Sequence, residues 1–383
     1  MKRRDFLSMA AATGASLSVS RVFASSRPGG GISSRLDARA TGCERPGKLL
    51  ILIELKGGND SLNTIVPFSD AAYYALRKHI AIPRGEALAL DSRTALHPAM
   101  RSLLPLWRGG QLAVVQGVGC ERDAASHYRS REIWDTASRA NLYRRDGWLT
   151  RAANECGALN RSFATASFGS AEPGPFAQLP SHSGSACSWA RVDDPDAAIH
   201  TDWIDGDNDR DDRISSPTFD AATFRDSIDA ALRTVDATQP QANCAIRVTL
   251  DDFDTHANQL ARHAALLTRL ADGCATLRTE LSRRGRWRDT LVMTYSEFGR
   301  SAYENDQRGT GHGGAAAHLV MGGSVRGGIY GRPPDFTRLD ADGRLPVEID
   351  FRRLYATALA SFWELDADAV LEDDVKPLPL LRA

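Results

Sequence analysis

The feature that most constrains the fold is a stretch of almost uninterrupted apolar residues, "LLILIEL", at residues 49–55. A strand that is apolar on both of its faces is typical of a parallel sheet, because helices then cover the sheet on both sides. Comparable runs recur at residues 111–119, 162–169, 243–250, 289–296, 317–323 and 327–331. Segments with helical periodicity lie between them, at residues 98–108, 126–137, 220–235, 257–281 and 351–363. This alternation predicts an α/β fold, a three-layer α/β/α sandwich with a mostly parallel central sheet.

The first 24 residues predict an export signal instead of a folded element. They begin "MKRRDFL", which matches a twin-arginine signal, and end in the small-residue cleavage site "VFA". The apolar run between these motifs is shorter than the roughly 20 residues that span a bilayer, and no later run is long enough. We therefore expect a periplasmic or secreted protein without a stable membrane span, whose export partner is the twin-arginine translocase. Residues 25–47 are expected to form a flexible leader, and residues 48–383 a single α/β/α domain with an irregular insertion around residues 170–217.

The composition argues against two other classes of protein. The chain has 42% apolar and 25% charged residues and a formal net charge of −1, so it lacks the basic excess typical of nucleic-acid binding. None of its six cysteines lies at C-x-x-C spacing, which argues against a zinc ribbon or a redox motif. An oxidising compartment permits disulfides, and their pairing stays open. Cys274 lies on an apolar helical face and is expected to be a buried thiol.

Polar residues follow the predicted strands. In an open α/β sheet, ligands bind beyond the carboxyl ends of the strands. The residues there offer carboxylate, imidazole, amide and hydroxyl groups: Asn59, Asp60, Asn63, Ser126, His127, Asp254, His256, Glu297 and His312. Carboxylates and neutral imidazoles are ligands of zinc, manganese and related divalent ions. Because a parallel sheet brings the ends of its strands to one edge, we expect a metal or anion site at that edge.

Taken one at a time, these residues also allow structural roles. Asp254 or Thr255 can cap the long helix that follows, and His312 can be a surface residue of its glycine-rich loop. Ser126 is expected to be the N-cap of a helix, whose free amides and positive dipole end suit a phosphate or sulfate group. With a metal to activate its hydroxyl, Ser126 is a candidate nucleophile.

Two further sequence motifs bear on other kinds of functional site, a calcium loop and an α/β-hydrolase triad. The segment "DWIDGDNDRDDR" at residues 202–213 has the alternating aspartates of a calcium loop. It has Arg210 and Ser216 where that loop requires glycine and glutamate, so a solvated acidic loop is favoured. The G-x-S-x-G elbow of α/β-hydrolases does not occur in the sequence, which disfavours a hydrolase triad of that kind.

Five segments together carry a family resemblance. They are "LKGGNDSLNTIVPFSDAAYYALR", "LHPAMRSLLPLWRGGQLAVVQGVG", "SHYRSREIWDTAS", "DFDTHANQ" and "SEFGRSAYENDQRGTGHGG". In this order, behind a twin-arginine signal, they resemble a family of exported bacterial proteins of unknown function. That family is described as sulfatase-like and related to the alkaline phosphatase superfamily. The resemblance covers most of residues 48–363.

The resemblance implies an alkaline-phosphatase-like α/β/α fold with one or two divalent metals, zinc, manganese or calcium, at the carboxyl edge of the sheet. It also implies hydrolysis or transfer of phosphate or sulfate groups. The implied metal ligands are Asp60, Asp254, His256, Glu297 and His312. Ser126 would be nearest the nucleophile of the superfamily, and either Ser126 or a metal-bound water would attack the ester. Among the other polar residues, His127 is a candidate general acid or substrate contact, and Asn59 and Asn63 are candidate substrate contacts.

This chain departs from the pattern of the superfamily at two points. Phosphatases usually place the aspartate and histidine four residues apart, which would select Asp252 instead of Asp254. Phe298 follows Glu297 where they have a further histidine, so the resemblance implies a weakened second metal site or a single-metal centre.

Three hypotheses therefore stand for the function. The first is an exported metal-dependent hydrolase that acts on a small-molecule or polymeric phosphate or sulfate ester. The second is a non-catalytic periplasmic binding or assembly protein that retains the fold. In the third, the polar residues only cap helices and the insertion mediates oligomerisation.

Overall fold

An eight-stranded sheet forms the centre of the structure, a computed structural model that describes residues 46–120, 126–159, 161–179 and 221–382. The predicted export signal, most of the leader, most of the insertion and the aspartate-rich segment lie outside the described residues. Within the described residues, no helix is both long and apolar enough to cross a membrane.

The strands of the described residues are β1 (Leu49–Leu55), β2 (Ile65–Val66), β3 (Leu88–Ala89), β4 (Ala95–Leu96), β5 (Leu112–Gly119), β6 (Phe163–Phe168), β7 (Asn243–Leu250), β8 (Thr290–Tyr295), β9 (Arg300–Glu304), β10 (Thr310–His312), β11 (Ala316–Gly322), β12 (Gly328–Tyr330) and β13 (Ile349–Asp350). The α-helices are α1 (Ser61–Thr64), α2 (Ala71–Leu76), α3 (Leu104–Arg108), α4 (His127–Thr136), α5 (Trp148–Ala158), α6 (Ala221–Ala237), α7 (Gln259–Arg283), α8 (Arg352–Ala356) and α9 (Ala367–Leu371). Short 3-10 helices occupy Pro98–Leu103, Gly174–Phe176, Trp287–Asp289 and Phe336–Arg338.

The order of the central sheet is β12-β5-β11-β8-β1-β7-β6, and β13 also pairs with β5. β1 is parallel to β7 and β8, and β6 is parallel to β7. β11 is antiparallel to both of its neighbours, β5 and β8. The reversal occurs in the β9-β10 hairpin, which follows β8 and precedes β11. The predicted α/β class with a mostly parallel sheet is confirmed, with β11 as the exception.

Two separate cores cover the two faces of the sheet, as a three-layer sandwich requires. Leu50 and Leu52 of β1 belong to the core that includes residues of α4, α5 and α8. Leu49, Ile51 and Ile53 belong to the core that includes residues of α6 and α7. Each side chain is fully buried, and burial of such a side chain contributes about 1.5–3 kcal/mol. The apolar run on both faces therefore places β1 in the middle of the sheet.

The helices differ from the prediction in several places, and α1, α2 and α9 lie outside the predicted segments. The segment 98–108 is a 3-10 helix followed by α3, since Pro105 fits only the first turn of a new helix. The last predicted helix is α8 followed by a π-helical stretch, Thr357–Trp363. The sequence patterns do not predict α5, because its N-cap is Gly147, which offers no side-chain cap as a start signal.

The expectation for Cys274 is confirmed. Its thiol is fully buried on α7, and this burial raises its pKa to about 12. Such a thiol is inert at neutral pH.

Candidate metal centre

The loop between β7 and α7 carries two candidate ligands. The side chains of Asp254 and His256 are 42% and 45% exposed, whereas Thr255 between them is fully buried. The two ligand-type side chains therefore face the open side of the loop. Asp252 and Asn258, which bracket the pair, have positive φ values of 80° and 48°. Non-glycine residues in this region are uncommon, and such strain clusters at functional sites.

Glu297 follows the central strand β8 and is buried. Its carboxylate oxygens accept hydrogen bonds from the Gly57 N–H at 2.9 and 3.0 Å. The β9-β10 hairpin then reverses the chain, and β10 ends at His312. His312, fifteen residues after Glu297, is thus returned to the same edge of the sheet by a hairpin.

α4 begins at His127 with Ser126 as its N-cap. Ser126 Oγ accepts a hydrogen bond from the Arg129 N–H at 3.3 Å, so the predicted N-cap is confirmed. Ser126 is exposed. The first turn of a helix has amide N–H groups without helical partners, which suit an anion. α4 therefore presents an exposed hydroxyl beside an imidazole.

Four side chains converge at this edge, and one ligand atom of each lies within 4.8 Å of all the others: His127, Asp254, His256 and His312. His256 Nε2 lies 3.0 Å from His312 Nε2 and 3.0 Å from Asp254 Oδ1. His127 Nε2 lies 3.5 Å from Asp254 Oδ2. Two imidazole nitrogens at 3.0 Å need a proton or a cation between them, because two lone pairs would repel. Three imidazoles and one carboxylate are a donor set typical of zinc and similar divalent ions, so these residues fit the expected metal.

Glu297 lies behind His127 and not among the four donors. Its Oε1 is 3.0 Å from His127 Nδ1. In its neutral form, an imidazole that donates from Nδ1 has its lone pair on Nε2. The Nε2 atom of His127 lies on the side of Asp254. A carboxylate in this outer position orients a metal-binding histidine. In the structure, His127 therefore belongs to the cluster of four side chains, whereas Glu297, expected as a metal ligand, lies behind His127.

Neighbouring charges and burial shift the pKa values of three residues in the cluster, His127, Asp254 and His256. Its hydrogen bonds to Asp254 and Glu297 raise the pKa of His127 to about 9. Burial would raise the pKa of Asp254, but hydrogen bonds from the neighbouring imidazoles and Arg300 hold that pKa far below its usual value. Burial lowers the pKa of His256. In the absence of a metal, His127 is therefore expected to be positively charged, and a bound divalent cation would replace that charge.

Phe298 packs against two of the donors. Its ring centroid lies 4.4 Å from that of His312 and 4.8 Å from that of His127. A Cβ at Gly58 would lie only 2.4 Å from the Phe298 ring, and Gly58 has a φ of +84°, so only glycine fits there. The residue that departs from the superfamily pattern is therefore an apolar wall that holds the imidazoles in place. It provides no donor for a second metal.

Asp60 lies apart from the four donors. It is fully buried, and its Oδ2 accepts hydrogen bonds from Arg77 Nη1 at 2.6 Å and Gln259 Nε2 at 2.5 Å. Its Oδ1 accepts from the Leu62 N–H at 3.2 Å as the N-cap of α1. Both oxygens accept hydrogen bonds from buried groups that keep their protons at every accessible pH. The placement of Asp60 as a metal ligand is therefore corrected.

Asn59 and Asn63 are also part of the interior, each 1% exposed. Asn63 Oδ1 accepts hydrogen bonds from the Tyr73 hydroxyl at 2.9 Å and from Arg77 Nη1 at 2.8 Å. Asn59 Oδ1 accepts from Thr64 Oγ1 at 3.0 Å. A substrate cannot reach these amides, so their placement as substrate contacts is corrected: they hold the loop after β1.

Arg300, which no sequence pattern marks as a site residue, is 1% exposed. Its guanidinium donates to the carbonyl oxygens of Gly58 at 2.7 Å, Thr310 at 3.1 Å and Phe253 at 3.1 Å, and it pairs with Asp254. It thereby joins three loops that surround the donors. Arg300 lies inside a motif quoted for the family resemblance, but no spacing rule distinguishes a buried loop arginine from an exposed one.

A cavity of about 620 Å³ borders α4, and none of the four donors is among the residues that line it. Tyr128, which follows His127, and Arg131, one helical turn later, line this cavity together with Tyr143. Both tyrosines are 76% exposed, and the Tyr143 ring stacks on the Arg129 guanidinium at 3.8 Å. A cavity of this size is suited to a small organic group.

Comparison with protein families gives one match. A family model described as "Protein of unknown function (DUF1501)" matches residues 230–373, which contain three of the four donors but not His127. No curated protein matches the sequence at a significant level.

Several solved structures are similar to the chain at low identity. The C-terminal periplasmic domain of EcEptC from Escherichia coli, in complex with Zn, is 10% identical over 87% of both chains, with a TM-score of 0.44. A protein in the alkaline phosphatase superfamily from Vibrio parahaemolyticus is 11% identical over 87% of this chain and 71% of its own, with a TM-score of 0.42. A phosphonate monoester hydrolase from Silicibacter pomeroyi is 11% identical over 87% of this chain and 76% of its own, with a TM-score of 0.44. These similarities are remote, so the chemistry of the site has to follow from the residues of this chain.

Proposed function

We propose that this protein is an exported, metal-dependent hydrolase of phosphate or sulfate esters. The observation that carries the proposal is the convergence of three imidazole nitrogens and one carboxylate within 4.8 Å of one another at the carboxyl edge of the sheet. The position supports the proposal as well, because open α/β sheets bind ligands at this edge. Export rests on the twin-arginine motif of the first 24 residues.

The proposed roles follow from the positions of the side chains. His127, Asp254, His256 and His312 would hold one divalent ion, with Glu297 fixing the orientation of His127. When bound, the ion supplies Lewis-acid polarisation of the ester and neutralises part of its negative charge. Since Phe298 offers no donor, a single-metal centre is the form that the described residues support.

Ser126 is the proposed nucleophile. It immediately precedes His127, and its side chain is exposed at the N-terminus of α4, where amide N–H groups can bind an anionic group. Its attack would form a bond from Oγ to phosphorus or sulfur and break the bond to the ester oxygen. The proton lost by the Ser126 hydroxyl would balance the proton gained by the leaving alcohol. Water would then release the phosphate or sulfate and restore the Ser126 hydroxyl.

The organic part of the ester is proposed to occupy the cavity beside α4. The exposed rings of Tyr128 and Tyr143 offer flat faces on which a sugar or aryl ring can stack. Arg131 adds a positive charge one helical turn from His127, although it is partly neutralised by Glu172 at 2.7 Å. These features favour a ring-bearing ester over a simple alkyl ester.

Metal content and turnover test this function together. Purified wild-type protein is expected to retain about one equivalent of metal, which His256→Ala and His312→Ala should lose. His79→Ala is the matched control, because His79 is an exposed histidine that pairs with Glu304 and not with the four donors. Aryl phosphates, phosphodiesters and aryl sulfates, each with zinc, manganese or calcium, are the substrates to assay. Ser126→Ala should abolish turnover and leave metal content unchanged.

The outcomes separate the three hypotheses. Bound metal without turnover on any of these esters would support the non-catalytic protein. Phe298 is the specific observation in favour of that alternative, since it stands where the superfamily has a second ligand. Metal content that is zero, or the same in His256→Ala and His312→Ala as in the wild type, would leave only structural roles for these residues.

A further inference from the structure

Gln259, the first residue of α7, lies at the centre of a buried set of hydrogen bonds. Its Oε1 accepts from Thr255 Oγ1 at 3.1 Å and from Thr310 Oγ1 at 2.7 Å. Its Nε2 donates to Asp60 Oδ2 at 2.5 Å. Gln259, Asp60 and both threonines are fully buried. We call these four residues the Gln259 clamp.

The partners determine the orientation of the Gln259 amide. Asp60 forms an ion pair with Arg77 at 2.6 Å, which lowers the pKa of the Asp60 carboxyl against the opposing effect of burial, so Asp60 is ionised and can only accept. The amide nitrogen must therefore face Asp60. The amide oxygen faces the two hydroxyls, both of which can donate.

The clamp joins the two loops that carry three of the four donors. Thr255 lies between Asp254 and His256, and Thr310 lies two residues before His312. The Thr310 N–H also donates to the Thr255 carbonyl at 3.3 Å. One amide oxygen thus holds both donor-bearing loops at a common distance from α7.

The two loops need such a connection. The first loop has positive φ at Asp252 and Asn258, a conformation that the surrounding structure has to maintain. The second loop approaches it so closely that a Cβ at Gly309 would lie 2.1 Å from the carbonyl oxygen of His256. Asn305 Nδ2 also donates to that carbonyl, at 2.9 Å.

We propose that Gln259 is a positioning residue for the metal centre, which sets the separation between the pair Asp254 and His256 and the donor His312. This inference rests on the proposed function in one respect, that a divalent metal binds the four donors. Gln259 touches none of them. It acts through Thr255 and Thr310.

Substitutions that remove or keep the threonine hydroxyls test the positioning role of Gln259 separately from the overall fold. Thr310→Val keeps the shape of the side chain and removes one hydrogen bond to Gln259, whereas Thr310→Ser keeps the hydroxyl. We expect Thr310→Val to bind Zn²⁺ about 10- to 100-fold more weakly, the usual effect of losing an outer-sphere partner, and Thr310→Ser to bind within about threefold of the wild type. Thr255→Val should behave like Thr310→Val. The Co²⁺-substituted variants report the geometry directly, because a change in donor separation alters the visible absorption of Co²⁺.

Thr290→Val is the matched control. Thr290 is also fully buried and donates its hydroxyl to a carbonyl, that of Arg286 at 2.8 Å, but it lies at the start of β8, away from the donors. This variant should lose a similar amount of thermal stability and retain the wild-type Zn²⁺ affinity and Co²⁺ spectrum.

The inference is overturned if Thr310→Val and Thr255→Val keep the wild-type Zn²⁺ affinity and Co²⁺ spectrum, or if Thr290→Val weakens Zn²⁺ binding as much as they do. A wild-type protein that binds no Zn²⁺ would instead overturn the proposed function. The two failures are therefore distinguishable. Should the valine variants fold poorly, the comparison of Thr310→Ser and Thr255→Ser with the wild type still tests the inference, because both are expected to keep the spectrum.

Discussion

Two aspartates that follow neighbouring strands have opposite surroundings. Asp60 follows β1, and Asp254 follows β7, which pairs with β1 in parallel. Each has an arginine partner, Arg77 or Arg300. Asp60 is fully buried and its remaining partners are an amide and a backbone N–H, whereas Asp254 is 42% exposed and faces three imidazoles.

The difference lies in whether the groups that donate hydrogen bonds to each aspartate can lose a proton. Guanidinium and amide groups keep their protons at every accessible pH, so the site of Asp60 is closed to a cation. An imidazole can exchange its proton for a metal, so the site of Asp254 is open to one. The role of a carboxylate at the sheet edge therefore depends mainly on which groups donate hydrogen bonds to it, and only secondarily on its own position.

The largest effect on stability is expected from a substitution of Asp60, which removes the partner of Arg77. Asp60→Asn leaves Arg77 buried without a countercharge, and we expect the free energy of unfolding to fall by about 3–5 kcal/mol. Urea denaturation measures this. The control is Asp236→Asn, which removes an exposed partner of Arg284 and should change the free energy of unfolding by about 1 kcal/mol or less. Equal effects of the two substitutions would mean that Asp60 and Arg77 are not the closed pair described here.

A smaller effect, on Zn²⁺ affinity, is expected from a substitution of Glu297, which lies behind His127. Glu297→Gln removes the negative charge behind His127, and we expect Zn²⁺ affinity to fall 10- to 100-fold, about 1.4–2.7 kcal/mol. Competition with a chelator measures the affinity. Glu304→Gln is the control, because Glu304 likewise accepts from a histidine Nδ1 and from backbone N–H groups, but its partner His79 is not one of the four donors. Zn²⁺ affinity that falls equally in both variants would contradict the outer-sphere role of Glu297.

The smallest effect is expected for a buried imidazole that lies neither in the surroundings of Asp60 nor in the cluster around Asp254. His318 on β11 is 1% exposed, and neither ring nitrogen has a hydrogen-bond partner within the described part of the chain. Burial lowers its pKa to about 3. The unfolded chain, with a histidine pKa near 6.5, then binds the proton that the folded protein excludes. Stability from this group is therefore complete above about pH 6.5 and is lost as pH falls towards 3.

His318→Phe should remove this contribution from the pH dependence. In metal-free protein at pH 6, the wild type is expected to lose about 1 kcal/mol more than the variant, relative to each protein at pH 8. Urea denaturation at the two pH values measures the difference. Parallel losses in both proteins would show that His318 is protonated in the folded state or exchanges with solvent.

The strands were the most predictable part of the fold. β1 and β7 have the bounds that the apolar runs predict, because burial on both faces leaves a continuous apolar signature in a short window. The direction of β11 was less accessible. It depends on the β9-β10 hairpin, which forms a separate two-stranded sheet and whose residues carry no strong local pattern.

At the candidate site, the sequence predicted the edge and most of its residues but not their arrangement. Asp254, His256 and His312 were expected there and do converge. Asp60 was indistinguishable from Asp254, because both are aspartates in loops after buried strands. The arrangement of His127 and Glu297 was equally hidden, since a helix start and a strand end give no distance between two side chains that lie 170 positions apart.

The sequence by itself determined the alternation of strands and helices, the edge at which polar groups collect and the chemical types of those groups. These follow from local periodicity, which each segment carries within its own residues. Only the tertiary structure decided which carboxylate meets Arg77 and Gln259 and which meets three imidazoles. Those partners come from distant positions, as with Gln259 and Asp60, which are 199 residues apart, and their distances are set by the packing of the whole sheet edge. Both aspartates have a buried arginine partner, but a buried amide completes the surroundings of Asp60 and three imidazoles those of Asp254. This difference arises only when the loops are packed together.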